Sequence, residues 1–242
     1  MSLVALSQMM PAGAIKGGTA MKIRMGEATS RFSRDLDISR KSDLQTFTDE
    51  LQETLISGWN GFTGVLLSLD LPFPKDVPAD YVMVPYRVKL NYKGSAWTSV
   101  ILEVGHDEIQ DTLDVEYEMA PEIIDLFTAV GLPAPTPVPL LAPKHQISQK
   151  LHAASEPGSS RAHDLVDLQL LEAHRTLDLA EVNDTCHRLF EFRRKIKWPP
   201  TIQENENWAS LYSEAAVGMN VLPEVDQAII WANNFIQRIN AS

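Results

Sequence analysis

Gly17-Gly18-Thr19-Ala20-Met21, followed by Arg31-Phe32-Ser33-Arg34-Asp35-Leu36-Asp37, is the stretch that decides the fold of this chain of 242 residues. The apolar pair Ala14-Ile15 before it predicts a β-strand, and the two glycines let the backbone turn sharply and approach a ligand closely. Thr19 is predicted to cap a short helix that ends at Met25, whose first N–H groups would point at an anion. The stretch therefore predicts a phosphate-binding turn between a strand and a helix.

Two carboxylates, Asp35 and Asp37, flank the apolar Leu36. Residues two apart on a strand point to the same face, so two hard oxygen ligands converge on one place. That arrangement suits Mg²⁺, which often shares its ligation with substrate phosphates. An Asp-x-Asp alone is often a solvated strand end, but its position just after the glycine turn indicates a site for metal and phosphate together.

A third carboxylate, Glu103, is predicted to belong to the same sheet. Alternating apolar residues predict strands over 81–90 and 97–104, joined by a turn at 91–95 into an antiparallel pair. Glu103 lies in the apolar run of the second strand, where a buried carboxylate is costly unless it is paired or binds a metal. The alternatives are an edge-strand Glu103 that points to solvent, or Asp107 or Glu108 as the third acid.

The remaining pattern predicts an α/β (α+β) protein, in which a mixed sheet at residues 1–120 is followed by a mainly helical region at 121–242. Proline-rich residues 133–143 form the connection, with Val138 to Leu141 as one edge strand. Residues 61–71 are interpreted as a helix edge or a strand. Helices are predicted over 43–57, 123–130, 143–154, from about 161, and over 180–194, 204–217 and 223–239.

Composition limits the partners of the chain. Its net charge of −11 repels nucleic acid on average, so contact with RNA would need a local basic patch. The single cysteine, Cys186, fits a reducing compartment and is interpreted as a surface or half-buried thiol rather than a nucleophile. The apolar run at residues 3–6 is too short to span a membrane, and we expect a cytoplasmic protein. The sequence contains two candidate basic patches for contact with RNA. One consists of Arg24, Arg31, Arg34, Arg40 and Lys41, and the other of Arg188, Arg193, Arg194, Lys195 and Lys197.

Further motifs extend the opening pattern: Lys150-Leu151-His152-Ala153, and Arg161-x-x-Asp164-Leu165-x-Asp167-Leu168. Together with Gly-Gly-Thr-Ala and the Arg-x-Ser beside Asp-x-Asp, they resemble the AbiEii family of nucleotidyltransferase toxins over residues 14–171. The resemblance implies a nucleotidyltransferase-like sheet core and transfer of a nucleoside monophosphate from an NTP to an acceptor hydroxyl. It also implies an RNA acceptor such as the tRNA 3′ end, reached through local basic patches, and a cognate antitoxin.

The resemblance also implies roles for individual residues. Lys150 would contact the nucleotide phosphates, whereas without the resemblance it would be interpreted as a solvated helix lysine. Asp164 and Asp167, neighbours on one helical face, would support the site from the helical region. The full prediction has Asp35, Asp37 and Glu103 holding two Mg²⁺ ions, the same three with Asp164 as catalytic residues, and Gly17, Gly18, Thr19, Ser33, Lys150 and Asp167 binding the nucleotide.

Two alternatives remain open. One is a degenerate family member that binds a nucleotide or a protein without turnover, and the other is a transferase that modifies a protein or an aminoglycoside. The family pattern also includes a helical segment before the glycine motif. Because only sixteen residues precede Gly17 here, we expect that segment to be truncated or missing.

Overall fold

The computed structural model of the chain describes residues 1–31, 33–69 and 82–242. It divides into two compact units, which are described separately. Unit 1 contains Met1–Glu27 and Ser33–Leu141, and unit 2 contains Ala28–Phe32 and Ala142–Ser242. Residues 121–141, which the sequence-based division grouped with the helical region, therefore lie with the sheet.

Among the described residues of unit 1, seven strands form one mixed sheet in the order β3-β4-β5-β2-β1-β7-β6. The pairs β2/β5 and β1/β7 are parallel, and the other neighbours are antiparallel. The predicted mixed sheet is thus confirmed. The strands are β1 (Gly13–Lys16), β2 (Asp35–Arg40), β3 (Phe62–Ser68), β4 (Val84–Tyr92), β5 (Ser95–His106), β6 (Val115–Glu118) and β7 (Val138–Leu141).

The predicted antiparallel pair is present as β4 and β5, although Tyr81 lies outside the described residues. Residues 62–68 form a strand, which decides between the two interpretations of 61–71 as far as residue 69. The prediction of β7 as an edge strand is wrong. It lies between β1 and β6, and β6, which the sequence pattern did not reveal, covers the side that would otherwise be exposed.

Helices α1 to α4 belong to unit 1, and α5 to α9 form unit 2. α1 lies before the glycine motif, where a helical segment was expected to be truncated or missing. Its apolar residues Leu3, Val4 and Leu6 are buried. The bounds are α1 (Ser2–Ser7), α2 (Gly17–Met25), α3 (Leu44–Ser57), α4 (Pro121–Ala129), α5 (Pro143–Ser155), α6 (His163–His174), α7 (Leu179–Arg193), α8 (Trp208–Ala216) and α9 (Val225–Asn240).

One face of the sheet in unit 1 is apolar and forms the larger core. Leu36 and Ile38 of β2, and Leu102 and Val104 of β5, are buried on it with the apolar side of α3. α3 begins as its sequence predicts, because the Asp43 carboxylate accepts a hydrogen bond from the Thr46 N–H at 3.0 Å. Since side chains alternate along a strand, Asp35, Asp37 and Glu103 lie on the opposite face.

The large aromatic residues of α8 and α9 belong to the core of unit 2. Trp208, Tyr212 and Phe235 are almost completely buried, while Ile230 is exposed. The Tyr212 hydroxyl accepts a hydrogen bond from Gln169 and donates one to the carbonyl of Leu222. No helix among the described residues is both long enough and apolar enough to span a membrane.

Candidate active site

A row of charged residues crosses three adjacent strands of unit 1. Asp37 of β2 pairs in register with Lys16 of β1 on one side and with Glu103 of β5 on the other. Residues in register on neighbouring strands point to the same face, so the two carboxylates and the ammonium group share one side of the sheet. β5 lies between β4 and β2, so Glu103 does not belong to an edge strand.

Asp35 shares this face because it precedes Asp37 by two residues, and its register partner on β5 is Ile101. Asp35, Asp37 and Glu103 are each half-buried, which leaves their carboxylates accessible. No three His, Cys, Asp or Glu side chains within the described ranges already form a group that could hold a metal ion. The strand register thus brings three carboxylates to one face, and metal binding would require their side chains to converge.

Gly17 packs directly against the Asp37 carboxylate. Its φ of +66° is in the left-handed region, and a Cβ added there would lie 1.8 Å from Asp37 Oδ2. No other residue fits without displacing Asp37, so glycine is required for both its conformation and its size. The N-terminus of α2 begins at this position, and its dipole favours negative charge beside it.

Thr19 has a different role from the predicted helix cap. α2 already begins at Gly17, and the buried Thr19 hydroxyl donates a hydrogen bond to the carbonyl oxygen of Asp35 at 2.5 Å. Ser33 lies beside it, with its hydroxyl 3.4 Å from the same carbonyl. Both hydroxyls therefore connect the first turn of α2 to the start of the strand that bears the carboxylates.

Lys16 is a residue that the sequence analysis missed. It is 9% exposed, and its Nζ lies 3.1 Å from the position that a Cβ on Gly105 would occupy. Lysine is rarely buried without groups of opposite charge nearby, and the carboxylates of Asp37 and Glu103 lie on the same face of the sheet. The signal in the sequence was its place at the end of an apolar strand, two residues after Ala14 on the face that carries Asp37.

Asp107, an alternative to Glu103 as the third acidic residue, belongs to a separate acidic pair. It accepts a hydrogen bond from the Thr112 hydroxyl, and it hydrogen-bonds the buried Asp111. Burial raises the pKa of Asp111 to about 7, opposed by Lys16 and reinforced by Asp107. Asp107 is therefore committed to Thr112 and Asp111, and Glu103 is the residue in register with Asp37.

The predicted site residues of unit 2 form a buried ionic cluster. Lys150 Nζ donates hydrogen bonds to Asp164 Oδ1 at 2.8 Å and to Asp167 Oδ2 at 2.6 Å. Arg31 holds both oxygens of Asp167, at 2.9 and 3.0 Å, and Arg161 donates to Asp164 at 2.8 Å. Lys150 is thus not a solvated helix residue, and Arg31 and Arg161 join the cluster although neither was among the predicted site residues.

The two aspartates of this cluster are fully buried. Burial alone would raise the pKa of Asp164, but the charges of Lys150 and Arg161 outweigh it and hold its pKa below the ordinary range. Burial lowers the pKa of the adjacent His163 to about 4, opposed by Asp164 and aided by Arg31. Asp164 therefore remains charged at neutral pH, and His163 remains neutral.

His152 is buried, and its ring centroid lies 4.9 Å from that of Phe190. Burial, with Arg193 and Lys195 nearby, lowers its pKa to about 3, although Glu156 Oε1 lies 3.3 Å from Nδ1. Below about pH 6.5, His152 binds a proton in the unfolded chain but not in the folded chain. The residue therefore lowers the free energy of unfolding as the pH falls from 6.5 towards 3.

We predict that His152→Leu makes the free energy of unfolding depend less steeply on pH below neutrality. A single such group changes the free energy of unfolding by at most about 1.4 kcal/mol per pH unit, so the wild type should lose up to about 2 kcal/mol from this residue between pH 7 and 5. Urea unfolding at a series of pH values measures the slope. His174→Gln, at an exposed position, is the control and should leave the slope unchanged. An unchanged slope in His152→Leu would show that His152 titrates normally.

Cys186 is completely buried, so its interpretation as a surface or half-buried thiol is wrong. Burial raises the pKa of its thiol well above the ordinary range, which leaves it protonated and unreactive. The signal was present in the sequence, since Val182, Cys186, Leu189 and Phe190 follow the apolar spacing of one helix face.

The comparisons with known proteins decide the family. A family model described as "Nucleotidyl transferase AbiEii toxin, Type IV TA system" matches residues 2–230. The chain belongs to the AbiEii family. As an AbiEii protein it is a nucleotidyltransferase of a toxin–antitoxin family, and the match extends well beyond residues 14–171, where the sequence motifs carry the resemblance.

A solved structure agrees with the fold of this AbiEii protein. MenT4, a nucleotidyltransferase toxin from Mycobacterium tuberculosis, is 17% identical, with 99% of this chain and 88% of that chain covered at a TM-score of 0.54. JHP933 from Helicobacter pylori is 18% identical, with coverage of 100% and 89% and a TM-score of 0.49. At 17% identity, the likeness to MenT4 establishes the fold alone. None of the curated proteins matches the chain.

Proposed function

We propose that this AbiEii protein is a Mg²⁺-dependent enzyme that transfers a nucleoside monophosphate from an NTP to a hydroxyl of RNA, with tRNA as the first acceptor. A cognate antitoxin would restrain it, as the toxin–antitoxin family implies. The observation that carries the proposal is the in-register row of Lys16, Asp37 and Glu103 across β1, β2 and β5.

The three carboxylates fit a magnesium site, both in the chemistry of their donor atoms and in the register of the strands that carry them. Asp35, Asp37 and Glu103 supply hard carboxylate oxygens on one face of neighbouring strands, as Mg²⁺ prefers. When bound there, two Mg²⁺ ions would make the acceptor hydroxyl more acidic and neutralise charge on the departing pyrophosphate. Lys16 shares this face with the carboxylates.

The first turn of α2 suits the phosphates of the NTP. Its leading N–H groups have no partner inside the helix, and the absence of side chains at Gly17 and Gly18 lets a phosphate approach the backbone. The hydroxyls of Thr19 and Ser33 are engaged with the carbonyl of Asp35. We therefore assign phosphate binding at this turn to backbone groups, with Thr19 and Ser33 holding the turn against β2.

The ionic cluster of unit 2 supports a role in anion binding. Three cations surround two buried aspartates, so the cluster carries an excess of positive charge. The Arg31 side chain is 18% exposed and that of Arg161 is 48% exposed, whereas that of Lys150 is 6% exposed. We propose that Arg31 and Arg161 present donors to a bound anion, and that Lys150, Asp164 and Asp167 orient them.

An NTP-by-acceptor screen tests this function. Each of the four α-³²P-labelled NTPs is incubated with the full chain and Mg²⁺, together with total tRNA, a protein extract or an aminoglycoside. The expected result is a labelled tRNA that disappears when EDTA removes the metal. Label on protein or on the aminoglycoside instead would refute the RNA acceptor, and no product with any acceptor would favour a degenerate, binding-only member.

A further inference from the structure

A second charged feature of unit 2 lies at the end of α7, away from the ionic cluster in sequence. Residues 187–198 contain five of the 21 cations of the chain and one carboxylate, Glu191. A helix C-terminus favours cations in its last turn, which explains Arg193 and Arg194. It does not explain Lys195 and Lys197, which follow the helix.

The chain reverses direction here and encloses a groove. Arg194 adopts a left-handed conformation with φ of +55°, and its N–H bonds the carbonyl of Phe190 at 3.0 Å. Trp198 folds back on α7, with its ring 5.3 Å from Phe190 and its Nε1 donating to Asn183 Oδ1 at 2.9 Å. The cavity between these parts has a volume of about 490 Å³. Because Trp198 is held by both Phe190 and Asn183, the groove does not need a ligand in order to form.

The lining of this basic groove combines flat rings with cations. His187 is exposed and Trp198 half-buried, with ring centroids 6.2 Å apart. Arg194, Lys195 and Lys197 line the same cavity and are all exposed. The ion pair of Lys195 with Glu156 joins two solvent-accessible groups and is weak enough to exchange for a phosphate.

The nearby His152 is consistent with cations at this end of α7. Burial lowers the pKa of His152, and the charges of Arg193 and Lys195 lower it further. In the other candidate basic patch, the Arg24 side chain is 1% exposed and pairs with Glu116 and Glu118, so it does not contribute to a basic surface. The groove is a candidate basic surface in which three cations line one cavity.

We propose that the basic groove binds an unpaired segment of the acceptor RNA. Arg194, Lys195 and Lys197 contact its phosphates, and a base stacks on the exposed ring of His187, beside Trp198. The cavity has the size typical of sites for small ligands, about 300–1,000 Å³, which accommodates a nucleotide but not a duplex. Single-stranded RNA is recognised by this combination of aromatic faces and cations, while an acidic peptide would have no use for the rings. The proposal rests on RNA being the acceptor in the proposed function.

The test measures RNA binding separately from turnover. Fluorescein-labelled single-stranded RNA, a duplex of the same length and polyglutamate are titrated into the full chain carrying Asp37→Asn, without NTP. The titrations are repeated with a groove variant, in which the same chain also carries Lys195→Gln and Lys197→Gln. The control variant carries Lys89→Gln and Lys93→Gln instead, which change the net charge equally at exposed positions of β4 and its turn. Thermal melting checks that each variant is folded.

We expect the groove variant to weaken single-stranded RNA binding about tenfold and the control to leave it unchanged. The slope of log Kd against log salt should fall by about 1.4, since each cation contributes about 0.7 on single strands. His187→Ala should reduce the preference for single-stranded over duplex RNA. Equal affinity of the groove variant and the control would overturn the proposal, and so would polyglutamate binding as tightly as RNA.

The outcomes also separate this proposal from the proposed function. If NMP is transferred to tRNA by the active chain with Lys195→Gln/Lys197→Gln at an unchanged KM, the groove is refuted and the function stands. If RNA binding depends on Lys195 and Lys197 but no acceptor is labelled, the groove stands and the function fails.

Discussion

Asp37→Asn should reduce NMP transfer by roughly a thousandfold, which corresponds to about 4 kcal/mol of barrier height. Asp37 is the centre of the row that joins β1, β2 and β5, and it lies against the N-terminal turn of α2. Asparagine keeps the size of the side chain but removes the charge that a divalent cation needs. The measurement is single-turnover transfer from α-³²P-labelled NTP at saturating Mg²⁺.

Asp125→Asn is the matched control for this prediction. Asp125 is an exposed residue of α4 in the same unit, and its substitution changes the charge and shape of a side chain in the same way. We expect full activity for it, and about the same thermal stability for both variants. If Asp37→Asn retained the wild-type rate, the assignment of the carboxylate row to catalysis would be wrong.

Lys150→Met should destabilise the protein by about 3–5 kcal/mol, the largest effect that we expect on stability. Lys150 donates to two aspartates that are 0% exposed, at 2.8 and 2.6 Å. Its removal leaves these carboxylates buried with less compensating charge, and a methionine of similar length cannot donate a hydrogen bond. Urea unfolding at pH 7 measures the change in the free energy of unfolding.

Lys144→Met separates this effect from the general loss of a lysine. Lys144 belongs to the same helix, and its ion pair with Glu181 at 3.1 Å joins partly exposed side chains. Surface pairs of this kind contribute up to about 1 kcal/mol, so the control should change stability little. Equal losses in the two variants would contradict the structural role of Lys150 and favour a lysine that serves the nucleotide alone.

The local features of the fold could be predicted from sequence because they follow from local patterns. The strand before Gly17, helix α3 and the shared face of Asp35 and Asp37 depend on residues within one or two turns of each other. Helical spacing likewise predicts that Asp164 and Asp167 are neighbours. The position of Glu103 in an apolar strand then suggested this residue, and the motifs of the AbiEii family suggested Lys150.

Non-local pairing could not be predicted in the same way. The register of Asp37 with Glu103 joins parallel strands far apart in the chain, and no local period encodes it. Lys16 was missed for a similar reason, since its place in the row depends on the pairing of β1 with β2. In the same way, the edge position predicted for β7 failed because β6 pairs with it by a contact that the short sequence of β6 does not reveal.

Metal binding measured without turnover tests the central claim most directly, namely that Asp35, Asp37 and Glu103 hold the catalytic cations. Mn²⁺ is titrated into the full chain with a non-hydrolysable NTP analogue and followed by electron paramagnetic resonance. We expect Asp37→Asn and Glu103→Gln each to weaken Mn²⁺ binding by at least about tenfold, while Asp125→Asn binds as the wild type. Wild-type affinity for Mn²⁺ in both Asp37→Asn and Glu103→Gln would contradict the claim.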